Sequence, residues 1–435
     1  MEKGVGSVSL VIALLTSLIL TLNAPACFRS FIQPVLAQPS IRDANLDVQA
    51  VVGGLSSPTS MIFLDNNNIL VLEKEGNVRL VTNGVLQEQP VLQVPARIES
   101  ERGLLGVASS TDINRSDNTN IFLYYTEGDP IRNRVYKYQW NGETLVNPTL
   151  ILDLPAKPGN IHVGGKIVIG PDGYLYAVIG DLNHYGKLQN FPDWPTPDDT
   201  GSIFKINPED GSAAPDNPFA RSKGDVLSKY YAYGIRNSFG LDFDPLTGNL
   251  WDTENGPSSF DEINLVRPGF NSGWYVVMGP MSLNGETEDD LVNFPGSHYA
   301  DPLFSWTDTV GPTDLEFFSS SNLGSKYTNN IFVGDITTGN LYFFEVNENR
   351  DGISLNTTQQ RSGLSDLVVD SDEELSSIIF GSGFGGITDI ETGPDGLLYV
   401  LSYNNEFEKL PGGFLNVSSY NKGTIYEISS SNTVG

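Results

Sequence analysis

The chain has 435 residues, 39% of them hydrophobic and 10% aromatic, which is enough apolar side chain for a large buried core. Acidic residues outnumber basic ones 53 to 25, for a formal net charge of −28. Such a surface repels phosphate backbones and anionic lipid headgroups, which excludes nucleic acid and electrostatic membrane adhesion as general partners.

The first 40 residues read as a targeting segment. Lys3 precedes an apolar run over 8–22, short of the roughly twenty residues that span a bilayer as a helix. Ala24-Pro25-Ala26 and Val35-Leu36-Ala37 each offer a small-residue cleavage site. The expectation is a signal peptide or an N-terminal anchor. The protein would then be exported: extracellular, periplasmic, or tethered to the outer face of the membrane through its N-terminus. Cys27 is the only cysteine, so the chain can form no internal disulfide.

Beyond this segment no long stripe of helical period occurs. Short β-branched and aromatic runs alternate with turns rich in the chain's 45 glycines and 26 prolines, the pattern of an all-β protein. One unit recurs: an Asp, Asn or Gly turn, an apolar strand, a polar turn and a second strand. Its copies lie at 69–72 with 76–81, 120–125 with 134–138, and 170–178 with 201–206. Three more lie at 244–251 with 261–266, 329–334 with 339–344, and 393–400 with 423–428. A strand pair of this kind cannot bury both faces alone, so neighbouring copies must stack. Six copies predict a six-bladed β-propeller of four-stranded antiparallel blades around a central channel, one domain over residues 45–430. The loops after Asp181 and Asn271 are longer than blade turns require and are expected to build a site on one face.

Only three histidines are present: His162, His184 and His298. His162 opens the stretch His162-Val163-Gly164-Gly165-Lys166, which runs on through Gly170-Pro171-Asp172-Gly173 to Gly180-Asp181. This stretch resembles the signature of the glucose/sorbosone dehydrogenase family. So do Arg102-Gly103-Leu104-Leu105-Gly106, Tyr233-Gly234-Ile235-Arg236-Asn237, and Glu254-Asn255-Gly256-Pro257 continuing to Gly273-Trp274. The resemblance implies a six-bladed propeller that oxidises an aldose sugar with pyrroloquinoline quinone (PQQ) and calcium, passing electrons to an acceptor that the sequence does not specify. It implies that His162 is the general base and that Arg236 stands beside the quinone carbonyl. Glu101, Arg236, Asn237 and Thr309 would contact the cofactor. The Gly256 and Pro257 carbonyls would hold one calcium, and Glu262 a second, structural one. By its residues alone, Asp261-Glu262 also suits a solvated turn.

The match departs from the family where the cofactor's three carboxylates should be held. Thr337 stands in place of a lysine, Gly386 and Thr388 in place of two arginines, and Ile161 in place of the aspartate before the histidine. Lys166, Lys187 or Arg267 could compensate from other loops. A second function therefore stays open beside sugar oxidation: a non-redox, calcium-binding propeller that binds carbohydrate or protein. A calcium-dependent lactonase is a third.

Overall fold

The computed structural model describes residues 38–110, 119–194, 196–220, 226–403, 408–409, 415–416 and 422–431. The expected targeting segment, including Cys27, lies outside the described residues except at its last positions.

Among the described residues six sheets of four or more strands form, all but their outermost additions antiparallel. Their innermost strands are Pro58–Phe63, Leu104–Ser109, Ile167–Ile169, Ser238–Phe243, Pro312–Phe318 and Ile387–Thr392, which define blades 1 to 6. Each innermost strand packs beside the next, and that of blade 6 returns to that of blade 1. The architecture is the six-bladed propeller that the repeats predict. Each copy of the repeat is the second and third strand of a blade.

Chain ends close the ring. Blade 6 takes three strands from the C-terminal region and its outermost strand, Leu46–Leu55, from the N-terminal region. Strand Ser40–Ile41 extends blade 5 at its outer edge. The apolar side chains gather into six clusters, each shared by two adjacent blades. Burial in this fold is therefore between sheets, as expected when no single blade can cover its own faces.

The channel explains part of the negative charge. An innermost strand has a neighbour on one side only, so its inward N–H groups need other acceptors. Carboxylates from the preceding blade supply them. Asp242 accepts from the Phe317 N–H at 2.8 Å, Asp314 from Ile390 at 2.9 Å, and Glu316 from Thr392 at 2.9 Å. Asp389 accepts from Met61 at 2.6 Å. Lys166 reaches across from blade 3 and lies 2.8 Å from Asp314 and 2.6 Å from Asp389. Burial works to lower the Lys166 pKa, but the facing carboxylates outweigh it and hold it well above the ordinary lysine value.

In five blades the innermost strand also breaks register against the second strand within its first residues. Such bulges re-aim the residues at a strand's start. The turns that enter these strands carry the candidate site.

Candidate active site at the channel mouth

His162 lies in the turn entering blade 3, with φ at +56°, a left-handed conformation that is uncommon outside glycine. One contact and a glycine hold it there. Its backbone N–H donates to Glu101 Oε2 at 2.6 Å, and Gly180 lies behind it. A Cβ at Gly180 would stand 2.4 Å from the His162 carbonyl and 2.5 Å from that of Arg236. Only glycine lets the two turns approach this closely.

The ring is clamped at both nitrogens. Nδ1 is 2.5 Å from Asp181 Oδ1. The Asp181 carboxylate also accepts from the Asn183 N–H at 2.7 Å and from the Trp274 indole at 2.7 Å. An acceptor so fully used favours a proton on Nδ1 and leaves the lone pair on Nε2. That Nε2 lies 2.9 Å from Nη2 of Arg236. Arg236 donates further to the Asn255 carbonyl at 2.6 Å and stacks over the Trp274 ring at 5.2 Å. Burial lowers its pKa, opposed by Asp181, Glu254 and Glu101; a guanidinium remains charged at neutral pH. The arrangement sets one ring nitrogen against a carboxylate and the other against one fixed cation.

Glu101 and Asn237 stand beside this pair and hydrogen-bond to its turns. Glu101 Oε2 accepts from the His162 N–H and, at 3.2 Å, from the Asn237 amide. Asn237 accepts in turn from the Gly164 N–H at 3.2 Å. Both residues join turns to one another. Thr309 lies exposed on a neighbouring turn. Gly256 and Pro257 follow the Asn255 that Arg236 contacts, and the turn is fixed by Asp261. That side chain accepts from Gly256 at 2.8 Å, Val310 at 2.7 Å and Gly311 at 2.8 Å.

The solvated-turn reading of Asp261-Glu262 is thereby overturned. Both residues are buried, and burial pushes the Asp261 carboxyl up to about 6. Glu262 lies on a different face, beside Asp252 and Glu254 on the adjoining strand of blade 4. It accepts from the Gly279 N–H at 2.5 Å. Glu254 accepts from the Arg236 N–H at 2.6 Å and from Ser272 at 2.7 Å. Burial, reinforced by mutual repulsion, raises all three carboxyls, Glu254 to about 7. Among the described residues no three His, Cys, Asp or Glu side chains converge as a ready ligand set for a metal ion.

The rim between blades 5 and 6 carries no cation at the expected positions. Thr337 lies on the exposed turn beside Gly311, Gly386 has φ at +84°, and Thr388 hydrogen-bonds within its own blade. Lys166 does not compensate, because Asp314 and Asp389 already occupy its ammonium group. His184 pairs with Asp198 at 2.7 Å on the loop after Asp181, and His298 lies in a short strand at the outer side of blade 3.

Sequence reasoning did not single out Asp181, Glu254 or Trp274 for a role, although each lies in a quoted motif. A Gly-Asp pair ending a buried strand just before a long loop is the signal that could have found Asp181.

Fold and site together define a propeller with a base-and-cation pair at the turns entering its innermost strands. The chain belongs to the glucose/sorbosone dehydrogenase family, whose model matches residues 55–409. It is 26% identical over 382 residues to the aldose sugar dehydrogenase YliI of Escherichia coli K12, spanning 84% of this chain and 92% of that one. It is 32% identical over 267 residues to quinoprotein glucose dehydrogenase B of Acinetobacter calcoaceticus, 55% of this chain and 54% of the relative. The PQQ-bound aldose sugar dehydrogenase of Streptomyces coelicolor has the same fold: TM-score 0.64, 22% identity, 90% of this chain and all of the other covered.

Proposed function

We propose that the channel mouth binds a sugar and that His162 takes the proton from the hydroxyl to be oxidised. The observation that carries this is the two-sided clamp on His162. Asp181 fixes the tautomer, stabilises the imidazolium that forms, and leaves Nε2 as the base. Arg236 yields its contact with Nε2 to the incoming hydroxyl and remains beside it, where a fixed cation stabilises an alkoxide as the proton leaves. Trp274 and Asp181 keep that geometry rigid.

Oxidation also needs a hydride acceptor. PQQ is the family's, and only half of the site suits it. Arg236 supplies a cation for a quinone carbonyl. The anchoring half does not fit: Thr337, Gly386 and Thr388 offer no charge for a tricarboxylate, and the channel beneath is acidic. The acceptor this mouth suits is a quinone with fewer carboxylates. Calcium suits the oxygen-rich turn at Gly256 and Pro257, and a second ion would relieve the repulsion among Asp252, Glu254 and Glu262. Export through the N-terminal segment would place this chemistry outside the cytoplasm.

The test is aldose-dependent dye reduction with calcium and either PQQ or an uncharged ortho-quinone. Turnover with the uncharged quinone, lost in His162→Ala, is the expected result. Full turnover at nanomolar PQQ would refute the misfit, and absence of sugar binding would refute the function. The missing cations favour one alternative: a calcium-keeping propeller that binds carbohydrate without oxidising it. Saturable sugar binding with no turnover on either quinone would identify it.

A further inference from the structure

The long loop after Asp181 and the segment after Asn271 do more than frame His162. They carry three of the most exposed large aromatic residues among those described: Tyr185 at 50%, Trp194 at 52% and Tyr275 at 46%. These rings form one path with the site. Trp274, which donates to Asp181 and lies under Arg236, has its centroid 4.7 Å from that of Tyr275. Tyr275 is 5.3 Å from Tyr185, Tyr185 is 5.4 Å from Phe191, and Phe191 is 6.4 Å from Trp194. Successive rings meet at 70°, 84°, 78° and 66°, so the path offers faces and edges in turn.

The path is held from beneath. The Tyr275 N–H donates to the Gln189 carbonyl at 2.8 Å. Asn190 donates to the Trp274 carbonyl at 2.6 Å and exchanges amide hydrogen bonds with Asn271 at 3.0 and 2.7 Å. Gln189, Asn190 and Asn271 are completely buried. A buried amide network that locks two surface loops together keeps the rings in place before any ligand arrives, which lowers the ordering cost of binding. Exposed aromatic patches of this kind mark binding sites.

We propose that this platform is a second sugar subsite, so that the ligand is an uncharged oligosaccharide whose outer rings lie on Tyr275, Tyr185 and Trp194. The inference rests on the reading of the mouth as a sugar site. It identifies the occupant by continuity and chemistry. The platform begins at Trp274, which stacks on the cation and donates to the carboxylate that holds the base. Its tyrosines offer an apolar face with a polar tip, as a pyranose offers C–H faces rimmed by hydroxyls. Asp193, Asp198 and Asp199 in the same loop, against the single lysine Lys187, disfavour an acidic sugar.

The test is calorimetric titration of the full chain with glucose, maltose, maltotriose and maltotetraose, in the wild type and in Trp194→Ala and Tyr185→Ala/Tyr275→Ala. Affinity should rise about tenfold from one ring to three in the wild type, the scale of one aromatic contact. The ratio of maltotriose to glucose affinity should fall to near one in both variants. Trp194 and Tyr185 are half exposed, so their removal leaves the core intact, and an unchanged melting temperature checks this. Glucose binding without any gain along the series overturns the second subsite while the mouth reading stands. That result would leave the platform to another occupant, such as a protein face. A gain that survives both variants also overturns it. Failure of every sugar to bind overturns both readings.

Discussion

Restoring charge to the rim is the sharpest test of why this mouth departs from its family. Thr337→Lys and Thr388→Arg together place two cations on blades 5 and 6, where the chain now has hydroxyls. Gly386 is left alone, because its φ of +84° makes any side chain there strained. A hydrogen bond to a charged group contributes about 1.5–3 kcal/mol. Thr337 is exposed, so its lysine falls at the low end after solvent screening. The pair should strengthen PQQ binding by about 3 kcal/mol, or roughly two powers of ten. Absorbance titration with the quinone in calcium buffer reads this directly. The gain should shrink as salt rises, as screening requires. Wild-type binding already in the nanomolar range would refute the reasoning. So would a gain below about threefold in the double variant, because the missing cations would then not be the reason for the misfit.

Four further outcomes follow from the same geometry. His162→Ala should reduce sugar turnover by about a hundredfold to ten-thousandfold, the range of general-base catalysis, with sugar affinity changed far less. Asp181→Asn should lower turnover while the fold is kept, because an amide can no longer stabilise the imidazolium; equal turnover at pH 7 would show that the clamp is incidental. Lys166→Met should destabilise the fold by about 3–5 kcal/mol by leaving Asp314 and Asp389 buried without their cation, and Asp314→Asn/Asp389→Asn in the same chain should recover much of the loss in a denaturant melt. Glu254 is raised to about 7 in the folded chain from 4.5 unfolded, so the folded state holds the extra proton in between. Stability without calcium should therefore fall as pH rises from 4.5 to 7, by up to about 3 kcal/mol. Glu254→Gln should flatten that slope, and calcium should oppose it if the ion binds among these carboxylates.

Legibility in the sequence followed the physics of each element. The second strand of every blade is buried on both faces, so its β-branched and aromatic run repeats clearly. The innermost strands escaped the repeat. Asp242, Asp314, Glu316 and Asp389 interrupt their apolar pattern, because those carboxylates must cap N–H groups that have no partner strand. In a linear reading these residues add only to the net charge. His162, Arg236 and Asn237 were legible because each follows or precedes a glycine turn of fixed form. Asp181 was not assigned its role, because what makes it an orienting carboxylate is a ring 2.5 Å away and an indole 93 positions further along the chain. Lys166 is the sharpest case. In the sequence it is a cation next to the site that could replace a lost arginine. In the ring it points across the axis and is already neutralised by two carboxylates from the opposite side. Whether a charge is available to a ligand depends on what the closed fold sets against it, and that is decided by blades more than 140 residues away in the chain.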